Sequence, residues 1–294
     1  MQGVGFRPFV FRHAVRLGLA GFVRNDSSGV LIEVQGSPDA IAELCRLLVE
    51  AAPPLALVTG VSTESVASVA GEAGPRTRGG AAPGFVITES SDDGTADVPV
   101  SVDTGTCAEC LAEIDDPGDR RFGYPFTNCT NCGPRYTIVV SVPYDRPATT
   151  MAGFKMCDEC QREYDDPGDR RFHAQPNACP RCGPSLSYMA PDGSVRFAGD
   201  AALAAAVDDL LGGGVVAIKG VGGFHLAVDA TSSGAVGELR RRKARDDKPF
   251  AVMAPDLAGA GAMVDLSGPA EEVLTSPRRP IVLARRHRSG DPAG

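Results

Sequence analysis

Eight of the nine cysteines in this 294-residue chain form a ladder that occurs twice. Cys107, Cys110, Cys129 and Cys132 read C-x2-C-x18-C-x2-C, and fifty residues later Cys157, Cys160, Cys179 and Cys182 read the same. The flanks repeat as well: DDPGDRRF occupies 115–122 and 165–172, and CGP occupies 132–134 and 182–184. A C-x-x-C pair offers two thiolates from one tight turn, and two pairs fill the tetrahedral shell that zinc prefers. The two quartets therefore predict two closed, structural zinc sites. Cys107/Cys110 are paired with Cys129/Cys132, and the later four with each other; interleaving the first and last pairs is the alternative. A disulfide framework belongs to short secreted domains. A redox role for single pairs leaves four pairs in register unexplained. His173 falls opposite Gly123 in the repeat, so it is not needed as a ligand.

The remaining composition narrows the function classes. No apolar run approaches membrane-spanning length, and the first ten residues, MQGVGFRPFV, lack the basic start and long apolar core of a signal peptide. A cytoplasmic, reducing location is expected, which suits metal-bound thiolates. Net charge is −8 and the sequence pI about 5.1. Binding a phosphate backbone needs a basic patch. Arg120, Arg121, Arg170, Arg171 and Arg181 stand in the cysteine region, but acidic residues sit among them. No nucleic-acid partner is expected; a small anionic substrate needs only one local basic pocket.

Along the chain, residues 1–90 read as a compact α+β unit. A glycine-rich start leads into an amphipathic segment at 8–19. Strand character follows at 21–24 and 30–35, separated by the turn signature Asn25-Asp26-Ser27-Ser28-Gly29. Ser37-Pro38 starts a helix running to about residue 51. Strand-like stretches follow at 58–69 and 85–88, around a Gly/Ala/Arg/Pro-rich loop at 71–84. This order is the ferredoxin-like pattern with its first strand absent. Residues 91–104 read as a polar linker and 105–187 as the double four-cysteine region. From 195 to 294 the composition becomes α/β-like, with a helix at 200–211, a buried strand at 215–219 and a helix with a basic end at 235–244. The fold class is thus multidomain α+β and α/β.

Gln2-Gly3-Val4-Gly5-Phe6-Arg7 is a glycine-spaced loop leading into a helix. Such loops let successive N–H groups converge on an anion, and the helix N-terminus adds positive potential. Arg7 offers a guanidinium fork suited to two phosphate oxygens. By spacing alone the motif is also compatible with an ordinary tight turn. Residues 2–9 closely resemble the acylphosphatase signature, and Arg24-Asn25 before Ser28-Gly29 resembles that family's second motif. The resemblance implies that Arg7 holds the phosphate and Asn25 orients the attacking water. Asn25 also suits a plain turn.

The whole combination is more specific than its parts. An acylphosphatase-like unit, two quartets 24 residues apart, and an α/β unit with Lys219-Gly220-Val221-Gly222-Gly223-Phe224-His225, Lys243-Ala244-Arg245 and Lys248-Pro249-Phe250 resemble the HypF family, the carbamoyltransferases of [NiFe]-hydrogenase maturation. The third unit resembles that family's YrdC-like nucleotide-binding domain. The resemblance implies that carbamoyl phosphate is hydrolysed to carbamate, that ATP converts carbamate to a carbamoyl-adenylate, and that the carbamoyl group passes to the C-terminal cysteine of a HypE-like partner. Lys219, Lys243, Arg245 and Lys248 are the cations available for ATP phosphates and carbamate, although a basic end also suits the helix dipole.

Two family parts are missing from the sequence. The chain starts inside the acylphosphatase motif, with Met1 where the family has a valine, so an upstream start with Met1 as a misread GTG codon is expected; an in-frame stop immediately before Met1 would count against it. The YrdC-like unit is cut short and the transferase domain is absent, so the chain reads as a fragment. The competing readings are a stand-alone acylphosphatase with a zinc appendage and a zinc-stabilised module binding nucleic acid or protein.

Overall fold

The computed structural model describes residues 3–25, 29–53, 55–66, 84–88, 100–220, 222–245 and 247–287. These form two compact units, Met1–Gly183 and Pro184–Gly294.

The first unit opens with helix α1 (Phe6–Arg16), followed by strands β1 (Ala20–Asn25) and β2 (Val30–Gln35), helix α2 (Pro38–Glu50) and strand β3 (Phe85–Ile87). β1 lies central, antiparallel to β2 and parallel to β3. Helix α2 begins where Ser37 Oγ accepts from the Ala40 N–H at 3.3 Å, with Pro38 at its first position. Its Leu44, Leu47 and Leu48 recur at the spacing of one helix face. They meet Phe9, Val10 and Ala14 of α1, Val23 of β1 and Phe85 of β3 in one buried core.

The strand expected at 58–69 does not form among the described residues of that stretch, 58–66. In the ferredoxin-like pattern its partner is the strand before α1, and no strand precedes α1 among the described residues. An unpaired strand leaves a row of N–H and C=O groups without partners. Leu57, Val61 and Val66 are exposed accordingly. Residues 67–83 and 89–99, which hold most of the predicted loop and linker, lie outside the described residues. The last linker positions pack into the cysteine region: Thr104 and Gly133 exchange backbone hydrogen bonds, and the Asp103 carboxylate accepts from the Arg135 N–H at 2.8 Å.

The cysteine region repeats one small plan. In each copy the first cysteine stands at the N-cap of a short helix, Cys107 before α3 (Ala108–Asp115) and Cys157 before α4 (Asp158–Asp165). A turn follows in which Asp116 or Asp166 accepts from the N–H two residues on, at 2.8 Å, as does Asp119 or Asp169, at 2.7 Å. These Asx turns explain the repeated DDPGD.

The second unit pairs its strands two by two: β4 (Ser187–Met189) with β5 (Val195–Ala198), β6 (Val216–Gly220) with β7 (Gly223–Ala227), and β8 (Val264–Asp265) with β9 (Arg285–Arg286). Helix α5 (Asp200–Leu211) precedes β6 and helix α6 (Ser233–Arg242) follows β7. The strand expected to be buried is β6, and it is largely exposed. A two-stranded ribbon covers neither of its own faces. Among the described residues no helix is long and apolar enough to cross a membrane.

A candidate anion pocket walled by paired cysteine quartets

The four sulfurs of Cys107, Cys110, Cys129 and Cys132 lie within 4.8 Å of one another, as do those of Cys157, Cys160, Cys179 and Cys182. Each quartet therefore joins the two C-x-x-C pairs of one copy, not an interleaved set. The donors fit zinc. Burial pushes the Cys160 thiol up even though Arg120 donates to its sulfur, and four thiolates this close repel one another. A dication is what stabilises four adjacent thiolates.

The two copies brace each other through the repeated Arg-Arg. Arg120 donates to Cys160 Sγ at 3.4 Å, and Arg170 donates to Cys110 Sγ at 3.1 Å. Arg121 forks onto Glu163 of α4 at 2.9 and 2.6 Å and reaches the Ala178 carbonyl at 2.9 Å. Arg171 does the same to Glu113 of α3 and to the Asn128 carbonyl, at 3.0 Å. Each copy's guanidinium groups thus serve the other copy's sulfurs and helix. Burial raises the Glu163 carboxyl, but Arg121 and Arg120 outweigh it and hold it at about 2. Arg120, Arg121, Arg170 and Arg171, four of the region's eight arginines, are spent on this internal bracing.

Against this scaffold lies a pocket. One side is the glycine loop and α1, with Gly3, Gly5 and Arg7, together with Asn25 at the end of β1. Sequence reasoning paired Arg7 with Asn25, and the fold brings both to this cavity; Gln2 lies outside the described residues. Gly5 caps α1 in the left-handed region at φ +73, and the first turn of α1 itself carries no acidic residue. Arg7 is buried, and its Nη2 donates to Asp145 Oδ1 at 2.8 Å. Asn25 is 5 % exposed, and among the described residues its amide has no hydrogen-bond partner.

The other side comes from the cysteine region: Thr130, Arg135, Tyr144, His173 and Gln175. Arg135 is 2 % exposed and uses all five N–H groups on carbonyls. Nε donates to Gly3, Nη1 to Cys132 and Pro134, and Nη2 to Cys129 and Thr130. One side chain thus links the Cys129–Cys132 turn to the anion loop, and its guanidinium has no carboxylate partner among the described residues. Burial pushes the Tyr144 phenol up to about 12, so it stays neutral. A further tie is the Phe11 ring of α1 against Phe172, 5.3 Å between centroids.

Arg135, Asp145, His173 and Gln175 were not singled out for this pocket by sequence. One signal could have found three of them. The repeat keeps its cysteines and DDPGDRRF, but Thr130 stands where the second copy has Pro180, Arg135 where it has Ser185, and His173 and Gln175 where the first copy has Gly123 and Pro125. Several positions at which the copies differ face the pocket.

The predicted cations of the second unit are less assembled. Lys219 lies on β6 with its ammonium 5.6 Å from the centre of the Phe224 ring. Lys243 caps α6, and the loop after it is drawn together where Arg240 donates to the carbonyls of Arg245 and Lys248. Arg240 and Arg245 flank the Phe250 ring at 4.8 and 5.6 Å. No hydrogen bond, ion pair or ring contact among the described residues joins Lys219 to Lys243, Arg245 or Lys248.

Fold and pocket together define an acylphosphatase-like unit packed against a duplicated four-cysteine finger. Known proteins match the same segments. The acylphosphatase model matches residues 1–74, the HypF finger model 106–139 and 156–189, and the telomere recombination model of the Sua5/YciO/YrdC group 208–292. Carbamoyltransferase HypF2 of Cupriavidus necator is 52% identical over 291 residues, 99% of this chain and 35% of its own length. An acylphosphatase of Caldivirga maquilingensis is 48% identical over 66 residues, covering 22% of this chain and 68% of that protein. The crystal structure of full-length HypF in the phosphate- and nucleotide-bound form superposes with a TM-score of 0.84 at 44% identity, over 98% of this chain and 36% of that one. The chain corresponds to the N-terminal region of the HypF carbamoyltransferases, and spans about 35% of the length of the curated relatives it matches.

Proposed function

We propose that the pocket hydrolyses acyl phosphates, with carbamoyl phosphate as the natural substrate. The observation that carries the reading is the meeting of Arg7, Asn25 and the glycine loop in one cavity. Arg7 and the loop's N–H groups hold the phosphate and stabilise the charge that develops on it. Asn25, whose amide is unpartnered among the described residues, orients a water toward phosphorus. The water oxygen bonds to phosphorus, the bond from phosphorus to the acyl oxygen breaks, and carbamate leaves with that electron pair; the water's proton passes to solvent.

The two quartets hold structural zinc ions, each charge-balanced by arginines of the opposite copy. In the longer protein, carbamate is adenylated by ATP at the YrdC-like unit, where Lys219, Lys243, Arg245 and Lys248 are the phosphate-facing cations, and the carbamoyl group passes to a cysteine of a HypE-like partner in hydrogenase maturation. The solved relative bound to phosphate and nucleotide supports this division. The reading places the protein in the cytoplasm, where thiolates stay reduced for metal. Internal bracing by Arg120, Arg121, Arg170 and Arg171 argues against a nucleic-acid module.

Steady-state kinetics on acyl phosphates test the reading. Arg7→Ala should lower kcat/KM by on the order of 10²–10³. Asn25→Ala should lower kcat more than it raises KM, because it positions water, not phosphate. Wild-type rates in both variants would refute the assignment.

A further inference from the structure

Among the side chains that the cysteine region brings to the pocket, none of which the hydrolytic step described above uses, His173 stands apart. His173 sits where the first copy has Gly123, and both backbones take the left-handed region, at φ +54 and +66. Glycine adopts that conformation without strain, whereas histidine does so at a cost that persists only where surroundings enforce it. They do so here. The Phe172 ring lies edge-on at 4.6 Å between centroids and the Tyr164 ring at 5.0 Å. The His173 N–H donates to the Tyr164 carbonyl at 3.0 Å, and its own carbonyl accepts from Gln175 Nε2 at 3.1 Å. Gln175 is fixed in turn, its Oε1 accepting from the Arg146 N–H at 2.7 Å and the Tyr164 hydroxyl at 3.1 Å.

The imidazole itself is left over. It is half-buried in the wall of the cavity that holds Arg7 and Asn25. Among the described residues neither ring nitrogen has a hydrogen-bond partner. A rigidly held polar ring without a partner, inside a pocket, points to a ligand. Burial first, and then the Arg7 guanidinium, push it down to about 4, against the smaller opposite pull of Asp145 and Asp165. At neutral pH the ring is therefore uncharged, with one N–H donor and one bare nitrogen acceptor.

We infer that His173 is a specificity-determining residue for the acyl half of the substrate, selecting an acyl phosphate that carries an amide. This rests on the acyl phosphate reading above and deepens it. Arg7 and the loop take the phosphate, which leaves the acyl group to be recognised by the facing wall. A carbamoyl group offers both an acceptor carbonyl and an N–H donor, and only the donor can use the bare nitrogen of a neutral imidazole. An acetyl or benzoyl group has no such proton. A site built to accept an N–H discriminates against analogues that lack it.

The test compares carbamoyl phosphate with acetyl phosphate in the natural gene product, purified with its metal, and in its His173→Gly, His173→Asn and Arg7→Ala variants. His173→Gly restores the residue of the sister copy and relieves the backbone strain, and circular dichroism checks that the fold is kept. The expected result is a fall of about tenfold or more in kcat/KM for carbamoyl phosphate, with acetyl phosphate changed less than about threefold and zinc content unaltered. His173→Asn, which tolerates the left-handed region and keeps an amide, should recover part of the preference. An unchanged ratio of the two substrates in His173→Gly would overturn the inference while Arg7-dependent hydrolysis upheld the reading beneath it. Absence of any Arg7-dependent hydrolysis in the wild type would remove both.

Discussion

At the scale of single residues, the pocket depends on a contact no local pattern announces. Gly3 has φ +78, and a Cβ there would lie 2.9 Å from Arg135 Cδ and 3.2 Å from the Tyr144 ring. The glycine serves the backbone conformation and the close approach of a buried arginine together. Gly3→Ala should therefore weaken inorganic phosphate binding about tenfold or more, since a displaced loop misaims its N–H groups, while zinc content stays at the wild-type value; titration calorimetry reads the first and elemental analysis the second. Unchanged phosphate affinity would mean that Arg135 does not set the loop. Arg7 and Asn25 were legible in the sequence because their motifs are local and short. Arg135 and His173 were not, because each lies more than a hundred residues from the loop it faces. Their only mark in the sequence was a difference between two otherwise matching copies.

At the scale of elements, the repeated DDPGDRRF has a purpose that the repeat alone did not reveal. The aspartates make the turn, and the arginines leave their own copy to serve the other. Glu163 is mostly buried and held at about 2, with burial opposing and Arg121 and Arg120 prevailing. Its folded value lies below its unfolded one, so its stabilisation is complete above the ordinary carboxylate range and fades as pH falls toward 2. Glu163→Gln should cost about 3 kcal/mol at neutral pH, because it leaves two guanidinium groups without their carboxylate. Thermal unfolding followed by circular dichroism measures this, and a loss under about 1 kcal/mol would show that water replaces the pair. Strand β2 was readable from its alternation and α2 from its cap and leucine spacing. The stretch 58–66 was misjudged because β-propensity reports a surface that suits pairing, whereas a strand forms only where a partner exists.

At the scale of the whole molecule, metal and hydrolysis should be linked. Protein prepared without chelator should carry two zinc ions per chain by elemental analysis. A strong chelator should unfold the cysteine region and abolish acyl phosphate hydrolysis as well, since the Cys129–Cys132 turn, Arg135 and Gly3 are joined by hydrogen bonds. One zinc or none, or hydrolysis that survives metal removal, would count against this linkage. The sequence by itself determined the two four-cysteine spacings, the glycine loop with its arginine, and the order of the segments. Each is written within a few dozen consecutive residues, where turn geometry and ligand spacing are local properties of the chain. Which quartet closes on itself, which arginine serves which sulfur and which residues face Arg7 were decided only by tertiary structure. The hydrogen bonds among those contacts join residues 22 to 138 positions apart, and only burial makes them worth more than water: a guanidinium shielded from solvent must find its partners in whatever the fold places beside it.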